Sequence, residues 1–367
     1  MTSLPFLLDL DRGAWREVRV KAQPEDFIVE EVALYEPSGS GDHTYFRVEK
    51  RGIATHEAAR RLARALGKRP NDAGIAGLKD AQAVTRQWIS FEHVRDEQAA
   101  ALDLGAEARV IEWRRHGNKL RMGHLKGNRF IIRLRPPDAS RVAELAAAAQ
   151  RAMGELSRRG LPNFYGPQRF GRGGASIDLG RALVAGDEAG FAARLRQEGL
   201  PPARVRDPKF RNLMVNAFQA ELFNRVLARR MPRIDELLAG DLAFLHRNGA
   251  VFHVEDPARE QPRCTAFEIS PSGPLFGPKM IFPEGEPGTI EREVLAASDA
   301  KAEDFGRREA ERQPGARRPL RVPLLEPPGV RAEADAVLLT FALPAGSYAT
   351  VALREIVGDE AIGGLGD

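Results

Sequence analysis

The last regular segments of the chain constrain its fold more than any other feature. Residues Val337–Leu343 read as a strand, and Ser347–Val357 read as a helix that Gly358 closes. One strand and one helix cannot bury enough apolar surface to fold by themselves. We therefore expect these elements to complete a sheet that the N-terminal part of the chain begins, which makes the middle of the chain an insertion.

The N-terminal part contains the elements that such a sheet requires. Strands are predicted at Phe27–Val29, Tyr45–Lys50, Thr85–Phe91 and Arg129–Arg135, and helices are predicted from an N-cap at Thr55 to Gly67 and from Ser140 to Gly160. After Gly160 the sequence becomes aromatic, basic and glycine-rich. We therefore divide the chain into one domain of residues 1–154 and 316–367 and an inserted domain of residues 155–315.

The inserted part has recognisable local patterns of its own. Apolar residues at helical spacing between Val215 and Val226 predict an amphipathic helix. Leu242–Val254 predicts a hairpin that turns at Asn248-Gly249, where a tight turn needs positive φ angles. The highly charged stretch Glu303–Pro319 predicts an exposed connection.

Composition excludes several classes of protein. The single cysteine, Cys264, rules out an intrachain disulfide framework and a cysteine-rich zinc site, and it is typical of a reducing compartment. No apolar run approaches the roughly 18 residues that a membrane span requires. The segment Met1–Leu10 lacks the basic region of a signal peptide. We expect a soluble, cytoplasmic protein.

The excess of positive charge is small, with 55 Lys and Arg against 51 Asp and Glu. Such an excess matters only where it is clustered. Clusters lie on the helix around Arg60–Arg69 and on the strand Arg129–Arg135, where arginines alternate with apolar residues. Each cluster is either a solvated face or a face that contacts phosphates, and the sequence leaves both interpretations open.

The stretch Gly77–Gln87 holds the candidate chemical centre. It sets Asp80 beside Lys79 at a turn that contains glycine, directly before the strand Thr85–Phe91. Catalytic groups tend to lie on connections that a rigid element holds. A Lys-Asp pair in a turn is nevertheless most often a solvated surface feature, so this pattern alone does not establish a site.

No motif for a metal or a nucleotide cofactor is complete. The sequence His56-Glu57-Ala58-Ala59-Arg60 resembles a zinc-protease helix but has arginine in place of the second histidine ligand. Gly171-Arg172-Gly173-Gly174 lacks the third glycine of a dinucleotide fingerprint and the strand before it. Aromatic residues in polar, basic surroundings suit an unstacked nucleobase, although core packing is the ordinary interpretation of each one alone: Phe27, Tyr165, Phe170 and Phe341.

Five stretches together resemble the TruD family of tRNA pseudouridine synthases, and they occur in that family's order across nearly the whole chain. They are Glu25–Glu31, Gly77–Gln87, Lys126–Phe130, Asn163–Gly171 and Phe341–Thr350. One short motif is weak support, whereas five in order are strong support. The chain departs from the usual pattern mainly at Phe164-Tyr165, where Tyr-Phe is commoner, and in the charged stretch before Pro319.

The resemblance implies an α/β (α+β) fold, in which a catalytic domain with a mostly antiparallel sheet is interrupted by an inserted α/β domain and tRNA binds in the cleft between them. It implies that uridine at position thirteen in the tRNA D-arm is isomerised to pseudouridine. This chemistry needs no cofactor and no metal, and we expect a monomer. The residues implied are Asp80 as the essential carboxylate, Lys21 as the basic residue near it, and Phe27, Asn128, Phe130 and Phe341 as contacts of the uridine.

Two other kinds of protein compete with this interpretation. A tRNA-binding or tRNA-folding protein would keep the basic cleft without turnover, although the set Lys21, Asp80 and Asn128 argues against it. A glycoside or nucleoside hydrolase would usually need two carboxylates that flank the scissile bond. Asp80 has no acidic partner in its own stretch.

Overall fold

We describe the protein from a computed structural model that covers residues 4–81, 83–231, 233–306 and 313–362. Its strands are β1 (Arg19–Val20), β2 (Phe27–Ala33), β3 (His43–Arg51), β4 (Gly74–Ile75), β5 (Val84–Glu92), β6 (Ala108–His116), β7 (Leu125–Arg135), β8 (Leu161–Pro162), β9 (Leu242–Leu245), β10 (Val251–His253), β11 (Ile269–Leu275), β12 (Ala316–Pro319), β13 (Arg321–Val322), β14 (Gly329–Ala332) and β15 (Val337–Pro344). Its helices are α1 (Thr55–Ala65), α2 (Asp96–Ala100), α3 (Val142–Arg159), α4 (Ala175–Ala185), α5 (Glu188–Gln197), α6 (Pro208–Arg230), α7 (Pro257–Thr265), α8 (Gly285–Ala296), α9 (Ala349–Val357) and α10 (Asp359–Ile362). Gln82 and residues 307–312, which belong to two of the stretches discussed above, lie outside the described residues.

A nine-stranded sheet organises the molecule. Its order is β14, β15, β7, β2, β5, β3 and β6, with β1 paired to β7 and β4 paired to β5. Only β2 and β5 run parallel among the strand pairs of the described residues. Strand β15 lies between β14 and β7, so the C-terminal part of the chain completes the N-terminal sheet. The expected α+β fold with a mostly antiparallel sheet is confirmed.

Two apolar cores lie on the same face of this sheet. One core packs α3 and α9 against β2, β7 and β15, and the other packs α1 against β3, β5 and β6. Val29 of the first core lies opposite Thr85 in the register of β2 and β5, so the two side chains share a face of the sheet. Ile89 of the second core is four residues after Thr85 on β5 and therefore lies on that same face. Where the two cores meet, over β2 and β5, the polar side chains of Glu31, Thr85 and Gln87 are buried.

The inserted part has its own sheet and its own core. Strands β10, β9, β11 and β12 form a four-stranded sheet, and helices α4, α5, α6 and α8 pack an apolar cluster around Phe191 and Phe218. The predicted hairpin is present as β9 and β10, and Gly249 adopts the expected left-handed conformation with φ of 76°. Phe223 and Leu227 of α6 join the core of the large sheet, so the two parts of the chain are packed together.

Two elements lie at the predicted ends of the insertion. Helix α3 continues through residue 154 to Arg159. Strand β12 pairs with β11, so residues 316–319 belong to the four-stranded sheet. The charged stretch therefore ends as a strand instead of an exposed connection. The division into two domains stays a prediction.

No helix within the described ranges is long and apolar enough to cross a membrane.

Candidate active site

Burial alternates along the segment that follows β4. Lys79 points inward, where its side chain is 4% exposed and its Nζ lies 3.1 Å from Oε2 of the equally buried Glu31. Burial raises the pKa of Glu31, and the Lys79 ammonium opposes this effect. Leu78 and Asp80, on either side of Lys79, are exposed. The buried ion pair thus fixes which side of the segment faces solvent.

Thr55 ties this segment to α1 and β5. Its hydroxyl accepts a hydrogen bond from the Lys79 backbone N–H at 2.9 Å and donates one to Oε1 of Gln87 at 2.9 Å. The prediction that Thr55 caps its helix is wrong, because Ala54 is the N-cap and Thr55 is the first helical residue. The buried hydroxyl satisfies groups of a neighbouring segment instead of the helix terminus.

Lys50 holds the backbone of Asp80 itself. Its Nζ donates to the Asp80 carbonyl at 2.7 Å and to the Ile53 carbonyl at 2.7 Å, and the residue is 1% exposed. A buried ammonium that donates to carbonyls is a strong anchor, because leaving those acceptors unpaired is costly. Sequence reasoning missed Lys50, Thr55 and Glu31, since their roles depend on which strands become neighbours.

The Lys50 ammonium gives a prediction about pH. Burial lowers its pKa from 10.5 to about 8, although the Asp80 carboxylate acts in the opposite direction. The folded protein therefore releases this proton near pH 8, whereas the unfolded chain keeps it until about pH 10.4. Unfolding takes up a proton in this interval, so the free energy of unfolding should rise with pH by about 1.4 kcal/mol per unit.

Urea unfolding of the wild type and of Lys50→Met between pH 7 and pH 10 measures this contribution. The difference in unfolding free energy between the two proteins should grow with pH above about 8, because only the wild type carries the titrating ammonium. If the unfolding free energies of the two proteins differ by the same amount at every pH in this range, Lys50 keeps its proton in the folded protein.

Asp80 faces outward and is paired with Lys21. Nζ of Lys21 lies 3.0 Å from Oδ2 of Asp80, and the Asp80 side chain is 51% exposed while that of Lys21 is 14% exposed. Lys21 has a φ of 61°, in the left-handed region that a non-glycine residue rarely adopts. Such strain costs about 1–3 kcal/mol and is typical of functional sites. The structure therefore brings together the two residues that were predicted as the catalytic pair.

Three predicted aromatic residues form a continuous group beside this pair. Phe27 and Phe130 meet edge to face with centroids 6.3 Å apart, and the rings of Phe130 and Phe341 are 5.4 Å apart. Nζ of Lys21 lies 5.4 Å from the centroid of Phe27. Phe27 is 9% exposed, whereas Phe341 is 1% exposed. Core packing explains most of this group, and Phe27 is the ring that reaches the Lys21 ammonium.

Asn128 presents an unsatisfied acceptor on the same face. It precedes Phe130 by two residues on β7 and pairs across the sheet with Glu31, the partner of Lys79. Its Oδ1 is buried and has no hydrogen-bond partner in the described part of the chain. Because buried polar atoms are nearly always paired, this oxygen is suited to a hydrogen-bond donor of a bound molecule.

The two basic clusters differ in how they are paired. The arginines of β7 form ion pairs with acids of other segments: Arg129 with Glu30 and Glu326, Arg133 with Glu333, and Arg135 with Asp26 and Asp335. On α1 and after it, Arg60 and Arg61 share Glu57 and Arg69 pairs with Asp72, so this cluster is only partly paired. The structure thus favours a charge-paired face for the β7 cluster and leaves both interpretations open for the α1 cluster. Within the described ranges, no group of three or more His, Cys, Asp or Glu is arranged to hold a metal ion.

The last two resembling stretches meet at Arg318. Its guanidinium donates to Oδ1 of Asn163 at 2.5 Å and to the carbonyl of Gly346 at 3.0 Å. It also lies over the ring of Tyr165, 4.2 Å from the centroid. Arg318 of the inserted sheet therefore connects the segment after β8 to the loop after β15, whose strand carries Phe341.

The described residues form a mostly antiparallel nine-stranded sheet and a second, four-stranded sheet. The candidate site places the exposed Asp80 carboxylate next to Lys21 and close to a group of aromatic rings. These are the features that the family resemblance implied. The profile of the family described as tRNA pseudouridine synthase D (TruD) matches residues 16–199 and 203–356. The chain belongs to this family. The family resemblance and the isomerase class expected from the sequence are confirmed.

Individual relatives cover almost the whole chain. The tRNA pseudouridine synthase D of Anaeromyxobacter sp. strain Fw109-5 is 46% identical, and the match covers 97% of each protein. That of Geobacter metallireducens is 41% identical over 92% of this chain and 94% of its own. The crystal structure of a candidate tRNA pseudouridine synthase D from Methanosarcina mazei has a TM-score of 0.78 at 23% identity, covering 98% of this chain and 95% of that chain, so the two share a fold.

Proposed function

We propose that this protein isomerises uridine at position thirteen in the D-arm of tRNA to pseudouridine, with Asp80 as the essential carboxylate. The observation that carries the proposal is the exposed Asp80 carboxylate, 3.0 Å from Nζ of Lys21, on a segment that buried contacts hold in place. Membership of the family supports tRNA as the substrate. A monomeric state and a cytoplasmic location stay predictions.

The reaction rearranges bonds without a net change of atoms or electrons. The bond from N1 of uracil to C1′ of the ribose breaks, the base turns, and C5 bonds to C1′. C5 then loses a proton and N1 carries one. The site must supply an ionised carboxylate as nucleophile or base, and an ammonium as close as that of Lys21 stabilises such an anion.

The remaining residues hold the base while it is detached. Oδ1 of Asn128 is suited to accept a hydrogen bond from an N–H of uracil, because it has no other partner among the described residues. Phe27 is suited to contact the flipped ring from the side of Lys21. Flipping a nucleotide out of its stack costs a few kcal/mol, which one or two such contacts can offset.

The experiment that tests this function follows uridine-labelled tRNA. Incubation with the protein should convert one labelled uridine per tRNA to pseudouridine, at the proposed position in the D-arm. Release of free uracil would identify a hydrolase instead, and binding without conversion would identify a tRNA-binding protein. Either of these outcomes contradicts the proposal.

Phe27→Leu should slow the chemical step by about tenfold while tRNA affinity changes less than about twofold, because a stacking contact with a flipped base is worth roughly 1–3 kcal/mol and most affinity comes from the RNA backbone. Leucine is chosen because Phe27 is 9% exposed and alanine would leave a cavity. Single-turnover rates and binding titrations measure the two effects.

The matched control is Phe91→Leu, which removes a ring from the core under α1 and away from Lys21. It should lower stability to a similar extent and leave the rate per folded molecule unchanged. Equal losses of rate in both variants would show that Phe27 acts only through packing.

A further inference from the structure

Exposed large apolar side chains are few among the described residues, and one of them, Leu78, lies two residues before Asp80. Within the described ranges, the exposed ones are Leu34, Leu78, Ile111, Met122, Leu213 and Ile281. Leu78 is 60% exposed, Met122 is 63% exposed and Leu34 is 55% exposed. These three belong to different connections that meet at one place.

Leu125 is the common neighbour of these connections. Ala33, the residue before Leu34, pairs with Leu125 across β2 and β7. Gly77, the residue before Leu78, lies against the Leu125 side chain. The N–H of Gly123, the residue after Met122, donates to the Ala76 carbonyl at 2.8 Å. We call Leu34, Leu78 and Met122 the apolar rim of the site.

Leu78 shares its outward direction with Asp80. The two residues flank Lys79, and both are exposed while Lys79 is buried. Lys79 between them is directed inward by its buried ion pair with Glu31. The protein therefore holds a leucine in water, on a rigid segment, two residues before the proposed catalytic carboxylate.

Three cations lie close to Met122 in the chain: Lys119, Arg121 and Lys126. They form no ion pair with any described residue, in contrast to the arginines of β7. One acid, Glu36, lines the same pocket as Lys119 and Arg121. An apolar surface bordered by free cations is complementary to a nucleic-acid strand, whose bases are apolar on their faces and whose phosphates are anionic.

We propose that Leu78 is a wedge that enters the tRNA base stack at the position that the target uridine leaves. The rim residues Leu34 and Met122 contact the faces of the flanking bases, and the cations of the β6–β7 loop contact the phosphates. Apolar side chains that unstack neighbouring bases act in this way in other proteins that deform nucleic acids. This inference rests on the proposed function, and it makes Leu78 a positioning residue, because it acts on the neighbours of the reacting nucleotide.

Leu78→Ala should slow single-turnover pseudouridine formation by about 10–100-fold, since losing the wedge returns part of the unstacking cost to the reaction. The dissociation constant for tRNA should change less than about threefold, because phosphate contacts dominate affinity. Leu78→Met, which keeps a long apolar side chain, should retain most of the rate. The matched control is Leu213→Ala, since Leu213 is 47% exposed on helix α6 of the inserted part.

A second readout does not depend on turnover. A tRNA that carries 2-aminopurine in place of the target uridine becomes brighter when that base leaves the stack. Binding of the wild type and of Leu213→Ala should produce the full increase, and binding of Leu78→Ala should produce several-fold less at saturation.

The outcomes separate this inference from the proposed function. If the wild type forms no pseudouridine, the proposed function fails, and the fluorescence readout still decides whether Leu78 unstacks the base. If the wild type is active and Leu78→Ala matches it in both readouts, the wedge is wrong and the function stands. A loss in Leu78→Ala that appears entirely as weaker binding also overturns the wedge, since it would make Leu78 a docking contact.

Discussion

Asp80→Asn should abolish pseudouridine formation, with a loss of at least about 10²–10⁴-fold in the single-turnover rate. Asparagine keeps the size of the side chain but removes its charge and nearly all of its nucleophilic and basic power. Fold and tRNA binding should survive, because the Asp80 side chain is 51% exposed and lies on a surface that meets a polyanion. Binding is expected to be equal or slightly tighter.

A matched control distinguishes chemistry from surface charge. Asp178 is 56% exposed and faces Arg194 at 3.7 Å, so its environment resembles the Lys21–Asp80 pair in exposure and partner. Asp178→Asn should leave the rate unchanged. A pseudouridine assay and a tRNA titration on the same preparations decide whether Asp80 acts in the chemical step. Turnover by Asp80→Asn would remove Asp80 from the mechanism. Loss of tRNA binding by the folded variant would make Asp80 a binding residue.

Glu31→Leu should lower the free energy of unfolding by about 3–5 kcal/mol, the largest stability effect that we expect in the site. The reason is that Lys79 would be left as a buried ammonium whose side chain is 4% exposed and has lost its partner at 3.1 Å. The Trp88 N–H would also lose the acceptor that it has at 3.3 Å. Urea unfolding measures the effect.

The double variant Glu31→Leu with Lys79→Met separates stability from positioning. Replacing a buried ion pair by apolar residues of similar size is often neutral or stabilising, so most of the lost stability should return. The rate should stay low, because the segment that carries Asp80 has lost its inward anchor. A surface pair serves as control: Asp72→Ala removes the partner of Arg69 at the protein surface and should leave the free energy of unfolding nearly unchanged. If the single variant is as stable as this control, the buried pair does not hold the segment.

The parts of the site that could be predicted are those with a local signal. The strand predicted at Thr85–Phe91 is present as β5, in which Gln87 and Ile89 lie on one face. The position of Asp80 directly before that strand follows from the same pattern. Its pairing with Lys21 came from the family resemblance, because 59 residues separate the two in sequence.

The parts that could not be predicted depend on which segments become neighbours. Lys50 reads as one more polar residue of a strand, and only the pairing of β3 with β5 brings it under Asp80. Thr55 reads as a cap, because the sequence does not show that another segment will pass above it. The arginines of β7 read as a basic face, because the acids that neutralise Arg129 and Arg133 come from distant segments.

The position of β15 between β14 and β7 also determines when the sheet can be completed. Arg129 of β7 and its partner Glu326 are 197 residues apart in sequence, so a ribosome needs about 10–40 s to proceed from one to the other. During that time β7 presents an open hydrogen-bonding edge, and its arginines, which still lack Glu326, Glu333 and Asp335, discourage pairing with a foreign strand. Glu326, Glu333 and Asp335 are then synthesised together with the strand that closes the edge. The arginines of β7 thus first discourage association of the nascent chain with other strands, and afterwards they form ion pairs with its C-terminal segment.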